Sequence, residues 1–258
     1  MGNLIRTLRQ KDSFYGDYVT GFHVVHRTIE RSFERIENIL SKDNQATFTI
    51  QNKGFRRYVS LCIQFLSLHH KQEDKFIFPK FQSISTDFKN EINNTLDKDH
   101  KTIEELLKNA IDILKTQNDD GMDSKEGTTM ERCNQLKHIA NQIKTLMPNH
   151  LGIEEQYITE QFLRSNLELS EIYDIHNQTH DMIDTDNDIV DGGDRMDRKT
   201  SLVFLLYHLT DEERKFFDDR LPFFLKWWLF PRWANVEGLD VFIHAPYCRK
   251  DCDNNLIF

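Results

Sequence analysis

Two histidine and glutamate pairs carry the most specific chemistry this sequence offers. His69 and Glu73 stand four residues apart in His69-His70-Lys71-Gln72-Glu73-Asp74, and His150 and Glu154 repeat the spacing in His150-Leu151-Gly152-Ile153-Glu154-Glu155. On an α-helix, positions four apart lie about 40° apart around the axis and one turn apart along it, so both side chains of a pair can reach one metal centre. Buried carboxylates are costly unless paired or metal-bound, and no Arg or Lys falls on the same stripes to pair them. Imidazole and carboxylate without thiolate suit iron, manganese or zinc. Two cations held together need anionic bridges, and Glu73 and Glu154 are the residues placed to bridge. With His26 and His100, the set reads as a dinuclear site inside a helical bundle.

Four apolar-periodic stretches must position these residues. In the first, Val19, Phe22, Val25, Ile29, Phe33, Ile36 and Leu40 follow helical spacing from Tyr18, with His26 on the stripe and His23 at its edge. Residues 1 to 15 read as a short arm before it. The second carries Phe55, Val59, Cys62, Phe65, Leu66, His69, Glu73 and Phe76 on one face, and Pro79 is expected to end or bend it. Ser85-Thr86-Asp87 is an N-cap cluster for the third, whose stripe runs Ile92, Leu96, His100, Ile103, Leu107, Ala110 and Leu114. The fourth begins near Thr129 and aligns Leu136, Ala140, Ile143, Met147, His150, Glu154, Tyr157 and Gln161, with Pro148 expected to kink it. Four such helices with short connections predict an all-α, up-down-up-down four-helix bundle over residues 1–166.

The pattern changes after Asn166, and residues 167–258 read as a helical, aromatic-rich extension packed on the bundle. Leu167 to Met182 suits a helix, Asp184 to Asp197 an acidic loop, and Thr210-x-x-Glu213 is a capping-box pattern opening a helix near Leu221. The run Leu221 to Phe230 is too apolar to stand in water and too short to span a bilayer, which suits a lid or extra layer packed on the bundle, with a membrane-surface or partner-docking role as the alternative. His176-x-x-x-His180 with Asp184 could hold a metal if helical, but reads first as a solvated polar face. The segment Asp184 to Asp188 lacks the Gly and Glu of a calcium loop. His244 with Cys248 and Cys252 could hold zinc but reads first as a reduced surface tail, Cys62 and Cys133 read as packing residues, and His138 and His208 as structural.

Composition narrows the classes. The 258 residues carry a net charge of −9, so nucleic acid is excluded as a partner for want of clustered Lys and Arg. Only 10 Gly and 5 Pro favour long helices. Four scattered cysteines and the absence of a secretory n-region and h-region read as a reducing, cytoplasmic setting. Met1-Gly2-Asn3 lacks the Ser or Thr that a myristoylation signal places at position 6, where Arg6 stands. No run reaches the length of a transmembrane segment.

Taken as a set, the motifs resemble the hemerythrin-like (HHE cation-binding) family. The matching residues are His26 in Phe22-His23-Val24-Val25-His26-Arg27, His69 and Glu73 before Ile77-Phe78-Pro79, His100 in Asp99-His100-Lys101, and His150 with Glu154-Glu155. The Glu-x-x-His of ferritin-like di-iron proteins and the His-Glu-x-x-His of zinc proteases are both absent. The resemblance implies a four-helix bundle around two non-haem iron ions. His26 and His69 would serve one iron and His100 and His150 the other, with Glu73 and Glu154 bridging. Oxygen-carrying members have His-x-x-x-His on the third helix, whereas Glu104 follows His100 here, and His-x-x-x-x-Asp on the fourth, where Glu154 and Glu155 stand. His70, Glu104, Glu155 and His23 are therefore further ligand candidates. Fewer imidazoles and more carboxylates favour oxidation over reversible O2 release.

The function expected from sequence is binding or sensing of O2 or a related small molecule at a di-iron centre, with no nucleophile and base that would mark a different catalyst. A di-iron oxidase, peroxidase or nitric oxide scavenger is the catalytic alternative. An iron buffer or interaction module is the third.

Overall fold

A computed structural model describes residues 2–41, 53–115, 126–185 and 196–218, and these form helices with no strand among them. Helix α1, Gly2–Leu40, already begins where the sequence suggested an arm. No proline interrupts its first turns, and Gly16 makes room for a neighbour: a Cβ built there would lie 3.1 Å from Glu160 Oε2. Tyr15 donates its hydroxyl to the Leu167 carbonyl at 3.0 Å, tying the first half of the helix to a residue far along the chain.

The second segment is one continuous path with a local change of pitch. Helix α2, Lys53–Gln72, passes into a π turn, Glu73–Ile77, and then into α3, Phe78–Ile84. Phe78 donates its amide to Glu73 O, five residues back. Pro79 therefore neither ends the path nor breaks it, because the wide turn lies just before the residue that has no N–H to give. The turn also resets the register. A run of four-residue steps drifts by about 40° per step on an α-helix, and the extra residue of a π turn cancels that drift. His69, Glu73, Ile77 and Phe81 are all buried, whereas Phe76, expected on the inner face, is only half-buried.

The third segment repeats the device. Ser85 caps α4, Thr86–Glu91, by accepting the Phe88 amide at 3.1 Å. A π turn, Ile92–Leu96, then leads into α5, Asp97–Lys115, and Phe88, Ile92, Leu96 and His100 stay buried along one face. Helix α6, Glu126–Tyr157, runs through Pro148, whose ring is exposed. It stops short of Gln161: Thr159 caps a new helix, α7, Glu160–Asn166, by accepting the Phe162 amide at 3.2 Å. Gln161, expected on the buried stripe, is exposed as a result.

The long helices pack in a ring in chain order, α1 against α2 and α6, and α5 against α2 and α6. Helix α8, Leu169–Thr185, lies on α1, α2 and the first π turn; α9, Arg198–His208, lies on α1 and α8. These later helices share the bundle's interior. Phe204 and Leu206 join Ile29, Phe33 and Leu61, and Ile172 and Ile175 join Phe22, Ile77 and Phe81. Each such side chain contributes about 1.5–3 kcal/mol when buried.

A polar latch fixes α9. His208 Nδ1 lies 2.8 Å from its own helix's Phe204 O and so carries the proton, which leaves Nε2 to accept the Tyr58 hydroxyl at 2.8 Å. Arg31 donates to His208 O at 2.8 Å and pairs with Glu213 of α10, Asp211–Asp218. The capping box is present, with Thr210 N to Glu213 Oε2 at 2.8 Å and Glu213 N to Thr210 Oγ1 at 3.3 Å, but it opens its helix at Asp211 and not near Leu221. Cys62 and Cys133 are buried in the core, as expected of packing residues, and His138 is exposed. The run Leu221 to Phe230, the tail with His244, Cys248 and Cys252, and positions 186–195 of the acidic segment lie outside the described residues. No described helix is long and apolar enough to cross a membrane.

Candidate metal centre

Helix α1 brings His26, α2 brings His69 and His70, the first π turn brings Glu73, α5 brings His100, and α6 brings His150 and Glu154. Every one of these side chains is buried. They fall into two groups whose ligand atoms lie within 4.8 Å of one another: His26, His69, Glu73 and Glu154 in one, and His70, Glu73, His100 and His150 in the other.

Adjacent residues on α2 serve different groups for a geometric reason. Neighbours in an α-helix point about 100° apart, and α2 has α1 on one side and α5 on the other. His69 accordingly meets His26, with ring centroids 5.1 Å apart, while His70 stacks on His100 at 4.0 Å.

The two glutamates divide their oxygens between the groups. Glu73 Oε1 is 3.1 Å from His69 Nε2 and 4.0 Å from His26 Nε2, and its Oε2 is 3.5 Å from His100 Nε2. Glu154 Oε2 is 3.4 Å from His26 Nε2, and its Oε1 is 3.3 Å from His150 Nε2 and 4.0 Å from His100 Nε2. Five imidazole Nε2 atoms, those of His26, His69, His70, His100 and His150, and all four oxygens of Glu73 and Glu154 are buried without a hydrogen-bond partner. Buried polar atoms are normally satisfied, so nine unsatisfied atoms converging on one spot mark a place built for cations. The donor set is nitrogen and oxygen only, which fits borderline and harder metals.

Carboxylates behind the rings set which nitrogen faces inward. His26 Nδ1 is 2.9 Å from Glu155 Oε1, and His100 Nδ1 is 2.9 Å from Asp74 Oδ1. His150 Nδ1 approaches Asp99 Oδ2 at 3.4 Å. With the proton held on Nδ1 of His26 and His100 by these hydrogen bonds, the Nε2 lone pair of the neutral ring is left for a metal. Burial pushes His26 down to about 4, partly offset by Glu155, and pushes His69 down to about 3 and His70 well below the usual imidazole range. Burial opposes charge on His100 too, but Asp74 and Glu73 outweigh it and lift that imidazole to about 9. Burial, and then the neighbouring Glu73, raises Glu154 well above the usual carboxylate range. Burial thus resists a proton on His26, His69 and His70 and a negative charge on Glu154, while the carboxylates around His100 favour its charged form. Phe22 against His26 at 4.2 Å and Phe78 stacked on His100 at 5.3 Å close the sides with apolar surface.

The structure brings together all six residues first expected there and adds His70. Glu104 is a correction: it is exposed, because Ile103 takes the inward position on α5. Glu155 stands outside both groups and backs His26, while Arg27 donates to it at 3.1 Å. His23 is half-buried on α1 and belongs to neither group. Sequence reasoning missed the roles of Asp74 and Asp99. The signal was present, since Asp74 follows Glu73 and Asp99 precedes His100.

No curated protein and no solved structure matches the chain. The profile of the hemerythrin HHE cation binding domain matches it twice, over residues 18–126 and 91–219. The two matches together contain every histidine and glutamate of the paired groups. Cation binding is what that domain's description names, and the chain belongs to the hemerythrin HHE cation-binding domain family.

Proposed function

We propose that the protein is a non-haem di-iron protein that binds O2 or a related small molecule in the cytoplasm, acting in oxygen or iron binding or sensing. The observation that carries this reading is the division of Glu73 and Glu154 between two sets of imidazoles, the arrangement that two adjacent cations require of bridging carboxylates. His26 and His69 would hold one iron, and His70, His100 and His150 the other. Bound there, iron supplies redox chemistry and an affinity for small diatomic ligands that side chains lack.

The chain's own residues supply the rest. Glu155 and Asp74 hold their imidazoles in one tautomer, Phe22 and Phe78 exclude water, and the described helices α8 and α9 pack on α1. The third imidazole from His70 returns the nitrogen count that the missing second histidine on α5 would have supplied, so reversible binding stands beside oxidation as a use of the site.

The test is metal analysis with optical spectra of protein reduced anaerobically and then exposed to O2, together with a His69→Ala/Glu154→Ala variant. Near two irons per chain and an oxygen-dependent visible band, both lost in the variant, are expected. Return of the starting spectrum on removing O2 identifies a binder or sensor. Consumption of O2 or peroxide with a reductant identifies an oxidase or peroxidase. Absence of iron and of any O2-dependent band in protein made with ample iron would leave a helical interaction module.

A further inference from the structure

Away from the buried centre, α8 carries a second pair of imidazoles that the di-iron reading does not use. His176 and His180 lie on one face of Leu169–Thr185, one turn apart, with ring centroids 4.3 Å apart and planes tilted by 59°. His176 is half-buried, its ring edge-on to Phe14 of α1 at 5.7 Å; His180 is exposed. Between the histidines, the Thr179 carbonyl accepts the Gln72 side-chain amide at 2.8 Å, and Thr179 Oγ1 donates to His176 O at 2.8 Å. The helix segment under the pair is therefore anchored to the residue that precedes Glu73.

We infer that His176 and His180 form a surface chelate for a borderline divalent cation such as Zn2+ or Cu2+, distinct from the buried centre. The spacing supplies two nitrogen donors one helical turn apart, and imidazole suits these metals in preference to magnesium or calcium. Rings already side by side lose little freedom on binding, and Phe14 restrains one of them. Burial and the neighbouring His180 hold His176 down to about 4, so it is a neutral ligand at physiological pH with no proton to displace. Water would complete the coordination. Because the cation would clamp two turns of α8, it would also strengthen the layer that α8 forms over α1 and the first π turn.

Equilibrium dialysis of the iron-loaded protein against Zn2+ tests this, with Cu2+ electron paramagnetic resonance reporting nitrogen ligation. The expected result is one Zn2+ per chain beyond the buried metals, lost in His176→Gln and in His180→Gln but kept in His138→Gln. The last variant removes an exposed imidazole that has no histidine one turn away. Circular dichroism of each variant confirms that α8 is retained. The same extra equivalent is expected in His69→Ala/Glu154→Ala protein, so failure of the di-iron reading would leave this one standing. No extra Zn2+ on folded wild-type protein, or one that survives both glutamine variants, would overturn it.

Discussion

Replacing Glu155 by glutamine should loosen the metal centre without touching a metal ligand, and the structure sets how much. Glu155 accepts from His26 Nδ1 at 2.9 Å with only 19% of its side chain exposed, whereas Asp74 makes the equivalent 2.9 Å contact to His100 with 54% exposed. Losing a carboxylate behind a metal-bound histidine costs about 10–100-fold in metal affinity, or roughly 1.4–2.7 kcal/mol. Glutamine keeps the shape and an acceptor oxygen but removes the charge that makes the imidazole a stronger donor. The less solvated contact should lose more, since water already screens much of the charge of Asp74. Glu155→Gln should therefore fall near the upper part of that range and Asp74→Asn at or below its lower end. Arg27 donates to Glu155 at 3.1 Å and withdraws part of its charge from His26, so Arg27→Gln should hold affinity or raise it. Competition with a chromophoric chelator at neutral pH measures all three, with circular dichroism to verify the fold. Wild-type affinity in Glu155→Gln, or a larger loss in Asp74→Asn, would refute the idea that these carboxylates act through the imidazoles.

The remaining predictions concern the frame and one rejected ligand. Tyr58→Phe leaves the buried His208 Nε2 without its donor and should cost about 1–3 kcal/mol, a fall of several degrees in thermal midpoint on a scale of roughly 2–4 °C per kcal/mol. An unchanged midpoint would mean that the latch to α9 contributes nothing. Burial holds His208 down to about 3, so the unfolded chain takes up this proton first as pH falls. Its share of stability is complete above the ordinary imidazole value near 6.5 and is lost toward pH 3 by at most about 1.4 kcal/mol per pH unit. Denaturant titrations of wild type and His208→Gln across that window should differ by this slope. Glu104→Gln, at an exposed position on α5, should leave metal content and affinity unchanged, and a loss of metal in that variant would contradict its placement.

The sequence by itself determined the main helical stripes and the caps at Ser85 and Thr210, though not the helical start at Gly2 or the exposure of Gln161, because apolar periodicity and capping are local properties of the chain. It also determined six of the seven residues in the paired groups, since His26, His69, Glu73, His100, His150 and Glu154 all lie on those stripes. The runs 69, 73, 77, 81 and 88, 92, 96, 100 even carried the π turns in their unbroken four-residue steps, although a reading at 3.6 residues per turn put Phe76 where Ile77 belongs. Only the tertiary structure decided the rest. His70 enters the centre because α2 lies between α1 and α5, so that residues about 100° apart on one helix both face inward. Glu104 stays out because Ile103 occupies the inner position beside it. Glu155, Asp74 and Asp99 become partners of His26, His100 and His150 only when helices far apart in the chain meet. Such contacts are set by how helices are rotated and packed against one another, and periodicity along a single helix does not contain that information.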